Sequence, residues 1–322
     1  MNILVTGGAG YVGAVLVPML LDRGYRVRVV DLFMYGDTLA SHKSLECIRG
    51  DIRKPDVVKR ALKGIDAVIH LAGISNDPSF ELDPALGKSV NYDATIALID
   101  RAKRSGVRRF IYASSSSVYG VKTEKNVTED LPLTPITDYS KYKALCEAYL
   151  LNHTSMTPVV LRPATVCGYS PRMRLDLTVN ILTINALVNK KIIVLGGSQL
   201  RPNIHIADMC RAYLTSLTAP KNKIAGKTFN VGYQNLTVMQ IAKMVTKVLS
   251  DHSITIEVKP TNDMRSYHIS SDKIKKELGF APTHTVEDAI GDIKEAYEKG
   301  LLPDAMTDKR YYNIRTMKEF YG

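Results

Sequence analysis

The sequence predicts an α/β protein: a doubly wound parallel sheet with helices on both faces, joined directly to a smaller C-terminal α/β domain. Three observations carry that expectation. Apolar strands and helices alternate from the first residues to about residue 166, and strands separated by helices of this length pair in parallel. A glycine-rich turn joins the first strand to the first helix. The 322 residues exceed one small domain, yet no linker, repeat or low-complexity stretch divides them. The sheet domain is therefore placed at 1–166 with a return segment at about 204–234. The second domain is assembled from 167–203 and 235–322.

Asn2 to Thr6 reads as a buried strand. It runs into Gly7-Gly8-Ala9-Gly10-Tyr11-Val12-Gly13 and an apolar helix ending near Gly24, which Pro18 is expected to kink. Gly8-x-Gly10-x-x-Gly13, between a strand and a helix, fits the dinucleotide-binding fingerprint. Its glycines let the backbone approach a pyrophosphate, and the helix start offers free N–H groups and the positive end of a dipole. Arg26 to Val30 is the second strand and Asp31 ends it. An acid at that place accepts hydrogen bonds from the adenosine ribose and repels a 2′-phosphate, which favours NAD over NADP. The alternation continues through Leu45–Ile48 to Gly50-Asp51-Ile52, through Asp66–Leu71 to Ala72-Gly73, and through a helix from about Pro84 to Arg104. The strand Arg108–Ala113 then leads into Ser114-Ser115-Ser116-Ser117-Val118-Tyr119-Gly120. In such sheets the ligand lies at the carboxyl ends of the strands, where Gly7, Asp31, Asp51, Ala72 and Ser115 all fall.

Next comes Asp138-Tyr139-Ser140-Lys141-Tyr142-Lys143. On a helix, Tyr139 and Lys143 share one face. A phenol titrates near 10, and a cation beside it favours the phenolate. Bringing Tyr139 to neutrality needs roughly 4 kcal/mol of differential stabilisation, which a close ammonium together with an oxidised nicotinamide could supply.

Beyond Pro158–Arg162 and Pro163-Ala164-Thr165 the regular alternation breaks. Ser170 to Asn180 carries Arg172 and Arg174 and opens a helix reaching about Asn189. Short strands follow at Ile192–Leu195, Arg201–Ile206, Lys227–Val231 and Ile254–Val258. Helices are expected at Ile206–Ala219, at Thr237–Leu249 with Thr237 as its cap, at Ser271–Leu278 and at Val286–Lys299. The stretch from Asp308 to Gly322, with three tyrosines and a phenylalanine, suggests no function by itself.

Composition narrows the classes. Hydrophobic residues make up 45% of the chain, as in a globular protein with a sizeable core, and no apolar run approaches the roughly 18 residues of a membrane helix. The opening strand leaves no room for a signal or transit peptide. Cys47, Cys146, Cys167 and Cys210 show no metal or redox spacing and read as reduced thiols of a cytoplasmic protein. The net charge of +11 comes from scattered lysines and arginines, which suits a solvated surface or anionic metabolites rather than nucleic acid. His70 and His205 have no ligating cluster around them and read as structural, so no metal is expected.

With the glycine loop, Asp31, the serine run and Tyr139-x-x-x-Lys143 together, the chain resembles the extended short-chain dehydrogenase/reductases. More narrowly, it resembles the NAD-dependent nucleotide-sugar epimerase/dehydratase family over nearly its whole length. The resemblance implies a Rossmann-type domain binding NAD and a smaller domain binding a nucleotide-diphosphate sugar. It implies Ser115 as the group that hydrogen-bonds the reacting hydroxyl, Tyr139 as the base, and Lys143 as its supporter and as a holder of the nicotinamide ribose. On the cofactor side it adds Gly7, Gly10, Tyr11, Val12, Asp51, Ile52, Leu71, Ala72, Gly73, Asn91 and Pro163. On the substrate side it adds Asn180, Arg201 and Arg265, with Ser116 and Arg172 beside the sugar; a planar guanidinium binds phosphate oxygens in pairs.

Two departures qualify the likeness. Dehydratases of this kind carry an Asp-Glu pair directly before Val-Tyr-Gly, where this chain has Ser116-Ser117, so water elimination lacks its acid and base. Arg201-Pro202-Asn203 stands where Arg-Asp and an aromatic residue are usual. The expected reaction is epimerisation through a transient ketone, with dehydrogenation or reduction without inversion as the second reading and non-catalytic cofactor binding as the third. A homodimer is implied as well, paired through the helices at about 84–104 and 138–153, with Ile96, Leu98, Ile99, Leu145, Tyr149 and Leu150 as candidate contacts.

Overall fold

The computed structural model describes residues 1–153, 155–261, 266 and 268–321. In chain order the strands are β1 (Asn2–Thr6), β2 (Arg26–Asp31), β3 (Leu45–Arg49), β4 (Ala67–His70), β5 (Arg109–Ala113), β6 (Thr157–Pro163), β7 (Thr165–Cys167), β8 (Lys191–Leu195), β9 (Leu200–His205), β10 (Lys227–Val231), β11 (Gln234–Thr237) and β12 (Thr255–Lys259). The helices are α1 (Gly13–Asp22), α2 (Pro55–Leu62), α3 (Asp77–Phe80), α4 (Pro84–Lys88), α5 (Ala94–Arg104), α6 (Asp138–Asn152), α7 (Thr178–Asn189), α8 (Ile206–Thr218), α9 (Lys221–Ile224), α10 (Val238–Leu249), α11 (Asp272–Leu278), α12 (Val286–Glu298) and α13 (Asn313–Tyr321).

Seven strands form one parallel sheet in the order β10-β6-β5-β4-β1-β2-β3. The central strands are apolar at nearly every position because both faces are covered. Ile3, Val5 and Ile69 join one core with α1 and α8, while Leu4, Val68 and Phe110 join another with α2, α5 and α6. From β1 the chain steps to β2 on one side and the later strands build outward from β4 on the other. That reversal opens a crevice at the carboxyl ends of the strands. The segment after α8 returns to this sheet as β10, at its edge. A third core, with Val179, Leu182, Ile192, Val194, Ile241, Val245 and Ile290, joins α7, α10, α12 and β8. Two small sheets, β11-β9-β7 and β12-β8, flank it.

Several local features differ from the expectation. The helix expected over about 84–104 contains a π turn at Ser89–Asp93 between α4 and α5. Leu98, Ile99 and Leu150 are sealed against the central sheet, so they are spent on this chain's own core, whereas Leu145 is exposed and Ile96 and Tyr149 are partly buried. The tail forms a short 3-10 turn (Lys309–Tyr311) and then α13, whose Met317 packs with Ile74 and Phe80. Among the described residues, no helix is long and apolar enough to cross a membrane.

Candidate active site

A cleft of about 560 Å³ runs along the carboxyl ends of the central strands, from the glycine loop past Tyr139 to Arg201. Gly7 turns the chain there with φ at +73°, and a Cβ on it would lie 2.6 Å from the Ala72 nitrogen, so no other residue fits without moving the backbone. Gly8 is packed on Val29, away from the cleft. Of the loop glycines, those that line it are Gly7, Gly10 and Gly13, one every third residue, in place of the Gly8-Gly10-Gly13 set read from the sequence. Tyr11 and Val12 line it beside them. Asp31 closes β2 in the cleft, with its oxygens accepting from the Ala9 nitrogen at 3.0 Å and the Phe33 nitrogen at 2.8 Å. Asp51, paired with Arg53 at 2.6 Å, and Ile52 line the same end. Leu71, Ala72, Gly73 and Pro163 form the wall toward Tyr139.

Asn91 takes a supporting place instead of facing the cleft. It is buried on the π turn, accepting from the Ile74 nitrogen at 2.7 Å and donating to the Ile74 oxygen at 2.9 Å, and so fixes the segment that follows Gly73. Asn180 is likewise turned into the fold. Its side chain accepts from the Gly168 nitrogen and donates to the Tyr11 hydroxyl and the Arg174 carbonyl, at 3.1, 3.1 and 2.8 Å, which commits both of its amide protons within the fold. Arg265 lies outside the described residues.

Ser115, Ser116 and Ser117 follow β5 and line the cleft opposite Tyr139 and Lys143. A capping box between Thr137 and Ser140 fixes the start of α6, and with it the direction in which Tyr139 points. Burial pushes the Tyr139 phenol up to about 12 and Asp77 adds to this, while a hydrogen bond with Ser115 and the charge of Arg174 oppose it. Lys143 is pulled down by burial to about 8. Its Nζ donates to the Ala113 oxygen at 2.7 Å and stands 5.9 Å from the Tyr139 ring centroid. In the protein without cofactor, burial therefore dominates the phenol, and the Lys143 ammonium is shared with the Ala113 carbonyl.

Arg172 and Arg174 line the cleft from the segment before α7, and Arg201 lines it from β9. Arg172 stacks on Tyr35, four residues past Asp31, with Cζ 3.6 Å from the ring centroid. Several wall residues gave no signal in the sequence. Tyr35 and Ser75 sit in loops without a motif, and Asn313, Met317 and Tyr321 come from α13. Only the aromatic density of the tail could have pointed to them. Burial holds His70 down to about 3 between Thr6 and Thr95, and His205 bonds Asp292 at 3.0 Å. Among the described residues no three metal-ligating side chains converge.

A family model described as NAD dependent epimerase/dehydratase family matches residues 3–232. A UDP-glucose 4-epimerase of Corynebacterium glutamicum is 29% identical, over 93% of this chain and 99% of its own. A dTDP-glucose 4,6-dehydratase of Xanthomonas campestris pv. campestris is 31% identical, over 89% of this chain and 90% of its own. The UDP-glucuronic acid 4-epimerase of Bacillus cereus, solved with UDP-glucuronic acid and NAD, superposes with a TM-score of 0.82 at 26% identity. That match covers 93% of this chain and 99% of the other.

Proposed function

The chain belongs to the NAD-dependent epimerase/dehydratase family, an enzyme family with NAD as cofactor, and we propose that it is a cytoplasmic, homodimeric nucleotide-sugar epimerase. The observation that carries this reading is the convergence of Ser115, Tyr139 and Lys143 on one cleft with the glycine loop and Asp31. NAD fits that cleft on two counts. The bare glycine backbone at Gly7, Gly10 and Gly13 admits a diphosphate beside the start of α1, and the Asp31 carboxylate stands at the end of β2.

Bound in that cleft, NAD would supply the hydride acceptor for the sugar carbon and, in reduced form, the donor that restores it. Tyr139 would take the hydroxyl proton during oxidation and return it to the same oxygen when the hydride is restored to the opposite face of the carbonyl carbon. Ser115 holds the reacting oxygen in line with the phenol. Lys143, anchored on the Ala113 carbonyl, places a positive charge on the cofactor side of Tyr139. Arg201 grips the substrate diphosphate, and that remote binding energy positions the sugar. C4 is the carbon we assign to inversion.

A panel of nucleotide sugars, read by NMR for the product and at 340 nm for NADH, tests this. An epimer with no accumulated NADH supports it, and full activity on a free monosaccharide overturns it. The second reading, oxidation or reduction without inversion, rests on how tightly the Arg172–Leu177 segment is bonded. Arg174 donates to Asp176 at 3.0 Å and to Ser75 at 3.1 Å, a rigid wall against which a ketone could be held in one pose. NADH building up with a keto sugar would select it. For the dimer, Leu145 on α6 is the exposed apolar contact, and a monomer by sedimentation at micromolar concentration would refute it.

A further inference from the structure

Arg172 is 3% exposed, and its Nε and Nη1 have no well-formed hydrogen bond, the Tyr35 hydroxyl being the polar group that touches the guanidinium; the neighbouring Arg174 leaves Nη2 open as well. Buried donors without acceptors cost free energy that a bound anion would remove. Nearby carboxylates are already engaged. Asp176 takes Arg174, and both oxygens of Asp31 accept backbone N–H groups. The place of these open donors is set by the glycine loop. The Tyr11 hydroxyl donates to the Gly168 oxygen at 2.6 Å, the Ser170 hydroxyl donates to the Tyr11 oxygen at 2.8 Å, and Asn180 ties the Tyr11 hydroxyl to Arg174. The segment that carries Arg172 is thus stitched to the loop that receives a dinucleotide diphosphate, and Tyr35 beneath the guanidinium belongs to the β2 end of the cleft.

What holds Arg172 is the far end of the chain, beyond residues 3–232 of the family match. Its Nη2 donates to Oδ1 of Asn313. Asn313 also donates from Nδ2 to Ser75 and from its backbone to Asp176, each at 3.1 Å, and the Leu175 nitrogen donates to the Tyr311 oxygen at 2.9 Å. Met317 and Tyr321 continue the wall of the cleft from there.

We propose that Arg172 grips the diphosphate of the bound NAD and that Asn313 positions it, which makes the segment 308–321 a latch on the cofactor. This rests on the cofactor alone and not on the sugar reaction. The test uses full-length protein stripped of NAD, titrated by calorimetry with ADP, adenosine and UDP. Arg172→Met should weaken ADP roughly tenfold or more, the range for hydrogen bonds to a charged group, with adenosine within about twofold. Asn313→Asp keeps the side-chain shape but hands Arg172 a carboxylate. It should weaken ADP by a similar factor, leave the melting temperature equal or higher, and speed NAD release on dilution. A merely structural Asn313 would leave ADP binding and NAD release unchanged in that variant. Unchanged ADP affinity in both variants, or a loss confined to UDP, would overturn the proposal, the latter by moving Arg172 to the sugar-nucleotide side. If Arg172→Met does not fold, Asn313→Asp decides alone.

Discussion

Lys143 donates to the carbonyl oxygen of Ala113 at 2.7 Å, while the phenol of Tyr139, one helical turn earlier on the same face, is left about 12 by burial. The protein alone thus keeps its proposed base protonated. The positive nicotinamide of bound NAD is the remaining charge that can oppose burial. Absorbance titration of the ligand-free protein, as the difference between wild type and Tyr139→Phe, should show no phenolate below about pH 10. With NAD bound, that component should move down by at least about two units. In the proposed mechanism the phenolate is the working form, so the rate should rise with pH through the bound-state value and then level. Tyr139→Phe should lose about 10²–10⁴-fold in turnover and keep NAD, whereas Tyr142→Phe, whose ring packs against Phe80 and Tyr92, should remain close to wild type.

Lys143 itself carries a stability signature. Its folded value of about 8 lies below the ordinary 10.5. Below pH 8 both the folded and unfolded states hold the proton, and the cost of burying the charge is present in full. Between 8 and 10.5 the folded state has released the proton that the unfolded state still binds, so stability rises with pH. In cofactor-free protein, Lys143→Met should therefore be more stable than wild type at pH 7, by urea unfolding. The advantage should shrink as the pH approaches 10.5, and a constant difference would contradict the burial of this ammonium.

The helix that carries Tyr139 and Lys143 is pinned by a buried ion pair. Glu147, one turn past Lys143 on α6, receives Arg162 of β6 at 2.6 Å, and both side chains are almost fully enclosed. Ser114 donates to the same carboxylate, and Arg162 also donates to the Tyr119 hydroxyl at 2.7 Å. Removing one partner strands the other charge, which costs about 3–5 kcal/mol, whereas replacing both by apolar groups is often neutral. Arg162→Met should show that loss in urea midpoint, and the double variant Arg162→Met, Glu147→Leu should recover most of it. Equal losses in the single and double variants would show that the pair is not the restraint.

The parallel sheet was legible because its cause is local: strands buried on both faces need apolar residues at successive positions, and glycine turns mark their ends. Ser115, Tyr139 and Lys143 were legible as a motif, and the structure brings all three to the cleft. The inward turn of Asn180 was not, since it depends on Tyr11 and Gly168 arriving from elements far apart in the chain. Nor was the role of the tail. Asn313 reaches Arg172 across 141 positions, and no spacing rule spans that separation. The second acceptor of the Lys143 ammonium was not legible for a related reason: the Ala113 carbonyl is a backbone atom at the end of β5, thirty positions earlier in the chain.

The last prediction separates this chain from the dehydratases among its relatives. Loss of water from a keto sugar needs an acid to protonate the departing hydroxyl and a base to take the neighbouring proton. At the two positions before Val118-Tyr119-Gly120 the cleft presents Ser116 and Ser117, and Ser117 shares its hydroxyl with Ser115 at 2.8 Å. A serine hydroxyl supplies neither group at neutral pH. Among the described residues, the carboxyl whose charge acts on the Tyr139 phenol is that of Asp77, and its Oδ1 accepts from Thr137, the cap of α6. Mass spectrometry of the product from any accepted nucleotide sugar should therefore show the mass of the substrate, or that mass less two hydrogens if the ketone is released. Loss of one water would contradict the assignment, and if Asp77→Asn abolished that loss while α6 kept its stability, Asp77 would be the acid of a dehydratase.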